Sequence, residues 1–366
     1  ALRFTLINQD FPLPFEKTTS LLDLFNWLPL FVVFISFQYY LKSQSQRELF
    51  SKYLISGTIP VLISCILQSR FNIFGPFTTL NGLIVIFNKS ISQGEAVSGL
   101  FSNPNYTGIW LSLTLPILFL LIFKTKQFNI NKLLLFTILI SLIYIIFLTL
   151  SRNALAGLIS TILVLFGFKK FLFFLISIFF IFISFGFLES FLNIKNIIFI
   201  GELPFNNLLS KFSINNISNI VEFTRIKIWI NTLKLIFQKP IFGFGASTFP
   251  IIFYNFTNLK MQHSHNMPLQ LAYDYGIPLS FLLTSFIIFL FFKSWMNIFR
   301  TANLNADFDL NKCWIASCLV AILNHINDIT YYDGKISILI WIFLAGLKCI
   351  LDETNILTIK EKNPNL

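Results

Sequence analysis

The sequence predicts an all-α protein, a polytopic bundle of transmembrane helices. Three observations predict it: the apolar fraction, the length of the apolar runs and the placement of the basic residues. Hydrophobic residues make up 55% of the 366 residues and charged residues only 12%; mean hydropathy is +0.74. A soluble domain of this length has no interior that could take so much apolar surface, so soluble fold classes are excluded. About nine runs are long enough, or nearly so, to cross a hydrocarbon layer of about 30 Å. They lie at roughly 24–41, 52–68, 105–123, 132–150, 153–168, 171–188, 269–292, 313–328 and 336–351.

Basic residues collect in alternate connections. Lys42, Arg47 and Lys52 follow the first run, and Lys124, Lys126 and Lys132 the third. Lys169 and Lys170 follow the fifth; Lys293, Arg300 and Lys312 follow the seventh. The other connections are poorer, with Arg152 alone, Lys335 alone, or Arg70 and Lys89 across a longer loop. The positive-inside rule places the richer set in the cytoplasm. Residues 1–20 then lie outside. Because the chain starts with Ala1, an odd number of preceding helices is expected to be missing, unless the numbering begins after processing. The expected regions are membrane helices and a first outer loop at 1–98, central helices at 99–188, a large outer loop at 189–268, and helices with a short cytoplasmic tail at 269–366. The net charge of +11 has no clustered arm behind it. It fits loops facing anionic lipid or an anionic substrate, and no nucleic-acid partner. Cys65, Cys313, Cys318 and Cys349 form no CxxC and read as packing residues, so neither a metal nor a disulfide role is expected of them.

The outer side holds the candidate chemistry. The stretch QHSHNMPLQLAYDYGIP, residues 262–278, contains His263 and His265. If His265 starts a helix, Asn266, Gln270 and Asp274 share one face at i, i+4 spacing. This is either a polar stripe at a membrane mouth or a helix entry capped by Asn266. SRNALAG, residues 151–157, forms a tight outer turn. Its Arg152 either snorkels to lipid headgroups or faces a site, and Ala154, Ala156 and Gly157 permit close helix approach. From about 217 to 239 the large loop turns amphipathic, with Ile226, Trp229, Ile230, Leu233, Ile236 and Phe237 as the expected buried stripe. Arg225 lies on that apolar side, one turn after Glu222. The two either pair along the helix, or Glu222 orients Arg225 into a site. Gly243 and Gly245 read as a helix stop and turn, not a dinucleotide motif. In GLFSNPNYTG, residues 99–108, Asn103 and Asn105 flank Pro104 and either cap a helix or offer amides to a sugar. Asn324, His325, Asn327 and Asp328 make a polar helix end, with too few ligands for a metal site.

In order and on one predicted side, SRNALAG, the arginine-bearing helix, PIFGFGASTF and HSHNMPLQLAYDYGIP resemble the core of the O-antigen ligase and O-antigen polymerase superfamily. His265 and Asn266, followed by nine residues and then Gly276, match its His-Asn spacing to glycine, and GLFSNPNYTG matches its Asn-Pro-Asn segment. The resemblance covers about residues 99–292. Leu279 stands where the family usually has a second glycine, and Asp274 where it usually has Glu. The first departure weakens the case for a true ligase over other members.

The resemblance implies an inverting, metal-independent, cofactor-free glycosyltransferase of the bacterial inner membrane, acting on the periplasmic face. Its donor would be a glycan on undecaprenyl diphosphate. Its acceptor would be a hydroxyl of lipid A–core, of another glycan, or of a protein or lipid. Residue chemistry agrees. Arg152 and Arg225 can stabilise a leaving diphosphate through forked hydrogen bonds. A histidine can take the acceptor's proton near neutral pH. His265 is favoured over His263 for its spacing to Gly276. Asn266, Gln270 and Asp274 would orient it or hold sugar hydroxyls, and Phe-rich spans would receive the lipid carrier. Two rival classes are a transporter of a small anion such as bicarbonate and a non-catalytic scaffold that holds lipid-linked glycan. A transporter calls for midplane charges and paired broken helices; the span centres are apolar and show no internal repeat.

Overall fold

The computed structural model describes residues 25–82, 84–86, 88, 90, 96–192, 222–301 and 310–362. Eleven helices account for nearly all of it. They are α1 (Leu28–Tyr40), α2 (Gln44–Phe71), α3 (Pro104–Lys124), α4 (Ile130–Leu148), α5 (Arg152–Leu192), α6 (Glu222–Gln238), α7 (Phe249–Thr257), α8 (Met267–Tyr275), α9 (Ile277–Thr301), α10 (Leu310–Asn327) and α11 (Gly334–Lys362). A two-stranded antiparallel hairpin pairs β1 (Phe77–Thr79) with β2 (Ile84–Ile86).

All nine apolar runs are helical, but six helices among the described residues are long and apolar enough to cross a membrane. These are α2, α3, α4, the first part of α5, α9 and most of α11. The first run gives only 13 helical residues, about 20 Å, less than a hydrocarbon core. The fifth and sixth runs join in α5, which breaks its helical geometry at Gly167 (φ 76°) rather than at the lysine pair. The seventh run divides at Gly276 into α8 and α9. The segment 193–221 of the expected outer loop lies outside the described residues.

The sequence starts and stops these helices by familiar means. Ser43 opens α2 with a capping box to Gln46. Asn103 opens α3, its side chain accepting from the Asn105 N–H at 2.8 Å with Pro104 next. Small residues then let α3, α5 and α10 touch. A Cβ on Gly108 would lie 2.7 Å from the Ala154 Cβ, and one on Gly157 would lie 2.7 Å from the Ser112 Cβ. Ser112 Oγ donates to the Ala154 carbonyl at 3.0 Å, and Ser317 Oγ to the Leu113 carbonyl at 2.8 Å. Trp314 of α10 fills the space left by Gly346 of α11 and donates to the Phe343 carbonyl at 2.7 Å. The four cysteines are buried within this packing and form no disulfide among the described residues.

A second, smaller core joins α6, α7 and α8 through Ile228, Leu235, Ile236, Phe249, Phe253 and Tyr273. It corrects the expected stripe of α6. Ile226, Ile230, Leu233 and Phe237 are exposed, while Ile228, Thr232, Leu235 and Ile236 are buried. Both rows have helical spacing, so periodicity alone did not choose between them.

Backbone contact fixes this small core to the main bundle. Phe244 N–H donates to the Tyr273 carbonyl (2.8 Å), Gly245 N–H to that of Asp274 (3.0 Å) and Ile277 N–H to that of Pro240 (2.7 Å). Gly276 makes the approach possible: it has φ +88°, and a Cβ there would lie 1.9 Å from the Ile241 carbonyl oxygen. Gly276→Ala is therefore expected to cost about 2–3 kcal/mol or more. Thermal melts in detergent should show a marked fall in midpoint.

Candidate functional site

His265 lies in the loop between α7 and α8, not in the helix, which begins at Met267 with Asn266 as its cap. Its backbone has φ +55°, the left-handed region. The neighbours enforce that turn. Ser264 N–H donates to Gln270 Oε1 at 2.9 Å, and Ser264 Oγ to the Asn266 carbonyl at 2.9 Å. Gln270 Nε2 donates to Asp274 Oδ1 at 3.0 Å. Gln270 and Asp274 are each 1% exposed, so in this structure they support the loop from beneath. Asn266 uses both ends of its amide. Its oxygen accepts from Leu269 N–H at 2.9 Å, and its nitrogen donates to the Ile326 carbonyl at 2.9 Å.

That last bond pins the loop to the end of α10 and sets His265 beside Asp328. His265 Nδ1 is 3.3 Å from Asp328 Oδ1. The same oxygen accepts from Ile329 N–H at 2.9 Å, and Asn105 Nδ2 donates to Asp328 Oδ2 at 3.4 Å. The carboxyl side chain is 6% exposed and the imidazole 30%. An ionised carboxylate can only accept, so it selects the His265 tautomer with hydrogen on Nδ1 and a lone pair on Nε2. Sequence reasoning noticed Asp328 only as part of a polar helix end; its pairing with a histidine 63 positions away has no signal along the chain.

His263 packs behind. Its ring centroid is 4.2 Å from that of His265 and 5.6 Å from that of Tyr332, and its Nδ1 accepts from His265 N–H at 3.3 Å. Burial first, then the charges of His265 and Arg225, push its imidazole down to about 4, against the pull of Asp328. His263 is thus neutral at pH 7. With its folded value below the unfolded one of about 6.5, the unfolded chain binds the extra proton between these limits. Stability therefore falls as pH drops from about 6.5 towards 4. Replacing His263 with Gln should flatten that part of the pH dependence, read as melting midpoints of both proteins across the window.

The two arginines lie within electrostatic reach of each other, and Arg225 of His263. Arg152 is the first residue of α5, and Arg225 lies in the first turn of α6; both are half-buried. The Arg225 charge acts on Arg152 and on His263, so the three occupy one electrostatic neighbourhood. The ion pairs among the described residues lie elsewhere, at Arg47–Glu353, Lys124–Glu48 and Lys348–Asp352, apart from the His265–Asp328 contact. Two like charges held together are unfavourable until an anion comes between them. Glu222 begins α6, and its side chain lies outside the described residues. Asn103 serves as the α3 cap, whereas Asn105 reaches Asp328.

His263, His265 and Asp328 each offer one ligand atom, all within 4.8 Å of one another. They are the residues that could hold a divalent ion, in a two-histidine, one-carboxylate set. At His263 the charge of Asp328 works for a cation and that of Arg225 against one.

Residues 136–284 match the family model described as O-antigen ligase. This segment is similar to an O-antigen ligase domain. The match bears out the superfamily resemblance and, with the six apolar helices, a multi-pass membrane protein of glycosyltransferase type. It gives no support to a transporter. No curated protein matches the chain. Arg152, Arg225, His263, His265, Asn266, Gln270 and Asp274 fall within the O-antigen ligase segment, while Asn103, Asn105 and Asp328 lie outside the matched residues, and Asn105 and Asp328 reach its site from there.

Proposed function

We propose that the protein transfers a glycan from undecaprenyl diphosphate to a hydroxyl acceptor on the periplasmic face of the inner membrane, with inversion and without a metal. The acceptor is lipid A–core, a growing glycan or another hydroxyl. What supports this reading is the His265–Asp328 pair, together with the charge of Arg225 being felt at both Arg152 and His263.

The chemistry is a single displacement. The acceptor oxygen bonds to the anomeric carbon as the bond from that carbon to the diphosphate breaks. The acceptor's proton passes to His265 Nε2, and the imidazolium that forms is stabilised by Asp328. Charge grows on the departing diphosphate, where Arg152 and Arg225 stand as forked donors that keep their protons. The two guanidinium groups supply the positive charge that a bridging metal would otherwise bring. Ser264, Gln270, Asp274 and Asn266 hold the imidazole in place, and Asn105 steadies the carboxylate. Burial of Gln270 and Asp274 favours this orienting role over contact with sugar hydroxyls.

The test is reconstitution of the purified protein in liposomes with an undecaprenyl-diphosphate glycan and a lipid A–core or glycan acceptor. Product is expected to form with the opposite anomeric configuration, at an unchanged rate in EDTA. Binding of the donor without any turnover would leave a scaffold. Loss of activity in EDTA, restored by a divalent ion, would reassign His263, His265 and Asp328 as metal ligands.

A further inference from the structure

The other end of α3 holds a separate cleft. Asn105 and Lys124 stand about 28 Å apart along this helix, at 1.5 Å per residue. Between α2, α3 and α4, near Lys124, lies a cavity of about 640 Å³, within the roughly 300–1,000 Å³ of small-ligand clefts. Its walls are aliphatic, including Ile55 and Ile59 of α2, Leu120 of α3 and Leu134 and Ile138 of α4. Its lip is polar and basic, with Lys52, Lys124 and Asn131. Glu48, also at the lip, pairs with Lys124. Lys52 is exposed; Lys126 lies in the α3–α4 connection and Lys132 in the first turn of α4.

We infer that this cleft binds one anionic phospholipid, with its phosphate at Lys52 and Lys124 and an acyl chain between α2 and α4. The charge order fits an amphiphile whose anionic head sits at the helix ends and whose tail lies deeper. The basic segments 42–52 and 124–132, at the start of α2, the end of α3 and the start of α4, are those that the positive-inside rule assigns to the cytoplasm, where the leaflet is anionic. Lys52 and Lys124 outnumber Glu48 at the rim, which leaves a net positive charge for an anionic headgroup to meet. The inference is independent of the glycosyl-transfer reading, because nothing in the cleft belongs to the candidate site.

The experiment measures lipid retained by the purified protein in nanodiscs or detergent, by native mass spectrometry. The lipids are phosphatidylglycerol and phosphatidylcholine with matched chains. Wild type is expected to keep one phosphatidylglycerol in preference to phosphatidylcholine, and to lose the preference as salt rises. Lys52→Gln should weaken phosphatidylglycerol retention about fivefold, as expected for one ammonium near an anionic surface. Ile59→Trp, which fills the hollow from an exposed position, should abolish retention of either lipid. Equal retention of the two lipids by wild type overturns the proposal, as does unchanged retention in both variants. Competition by soluble glycerol phosphate would overturn it too, because a free phosphate site needs no acyl cleft.

Discussion

His265→Gln is expected to reduce glycan transfer by a factor of about 10²–10⁴, the usual range for loss of a positioned general base. Glutamine keeps the size and polarity of the side chain and cannot take up a proton. The loop should survive, because its closing bonds run through Ser264, Gln270 and Asn266 and use only the backbone of His265. Donor binding should therefore persist while turnover falls, so the loss appears in kcat with KM little changed. Asp328→Asn should lower the rate less, by about 10–10². It would also shift the pH–rate profile, because the imidazolium would lose its carboxylate partner. A rate unaffected by His265→Gln in correctly inserted protein would remove His265 as the base.

Arg152→Lys and Arg225→Lys are each expected to lower the rate by about 10–10³ although the formal charge is unchanged. A lysine offers a point charge, whereas a guanidinium can hold two phosphate oxygens at once. The neutral Gln variants should lose more and should also bind donor more weakly. They should gain stability in the absence of donor, because the repulsion between Arg152 and Arg225 is relieved. Melting midpoints measured without and with undecaprenyl diphosphate separate the two effects. A structural pair would show a loss in both conditions, while a substrate-binding pair shows gain without the ligand and loss with it.

Much of this architecture was legible in the sequence because membrane helices obey composition. Apolar runs near 105–123 and 132–150 became α3 and α4 nearly residue for residue. Caps at Asn103 and Asn266 were local and readable in kind. Counting spans was harder. Hydropathy cannot tell a short apolar helix such as α1 from a crossing one, and it ran α8 and α9 together because Gly276 breaks geometry without breaking apolarity. The buried face of α6 was found only in part, at Trp229 and Ile236, because two rows had similar claims and only the partners α7 and α8 chose between them. In the candidate site, Arg152, Arg225, His263 and His265 were visible as unusual polar residues on one side. Asp328 was not, because its meaning lies in a neighbour remote in the chain.

The tie between Asn266 and the Ile326 carbonyl has a practical bearing on chimeras. A graft that moved only the histidine-bearing segment from one such enzyme to another would bring the imidazole without the carboxylate that steers it. The piece that must travel intact is three-part: the turn around His265, the end of α10 and the opening turn of α3. Recombination that respects those three seams together should preserve turnover, whereas cuts placed at the edges of the matched segment divide a single working unit.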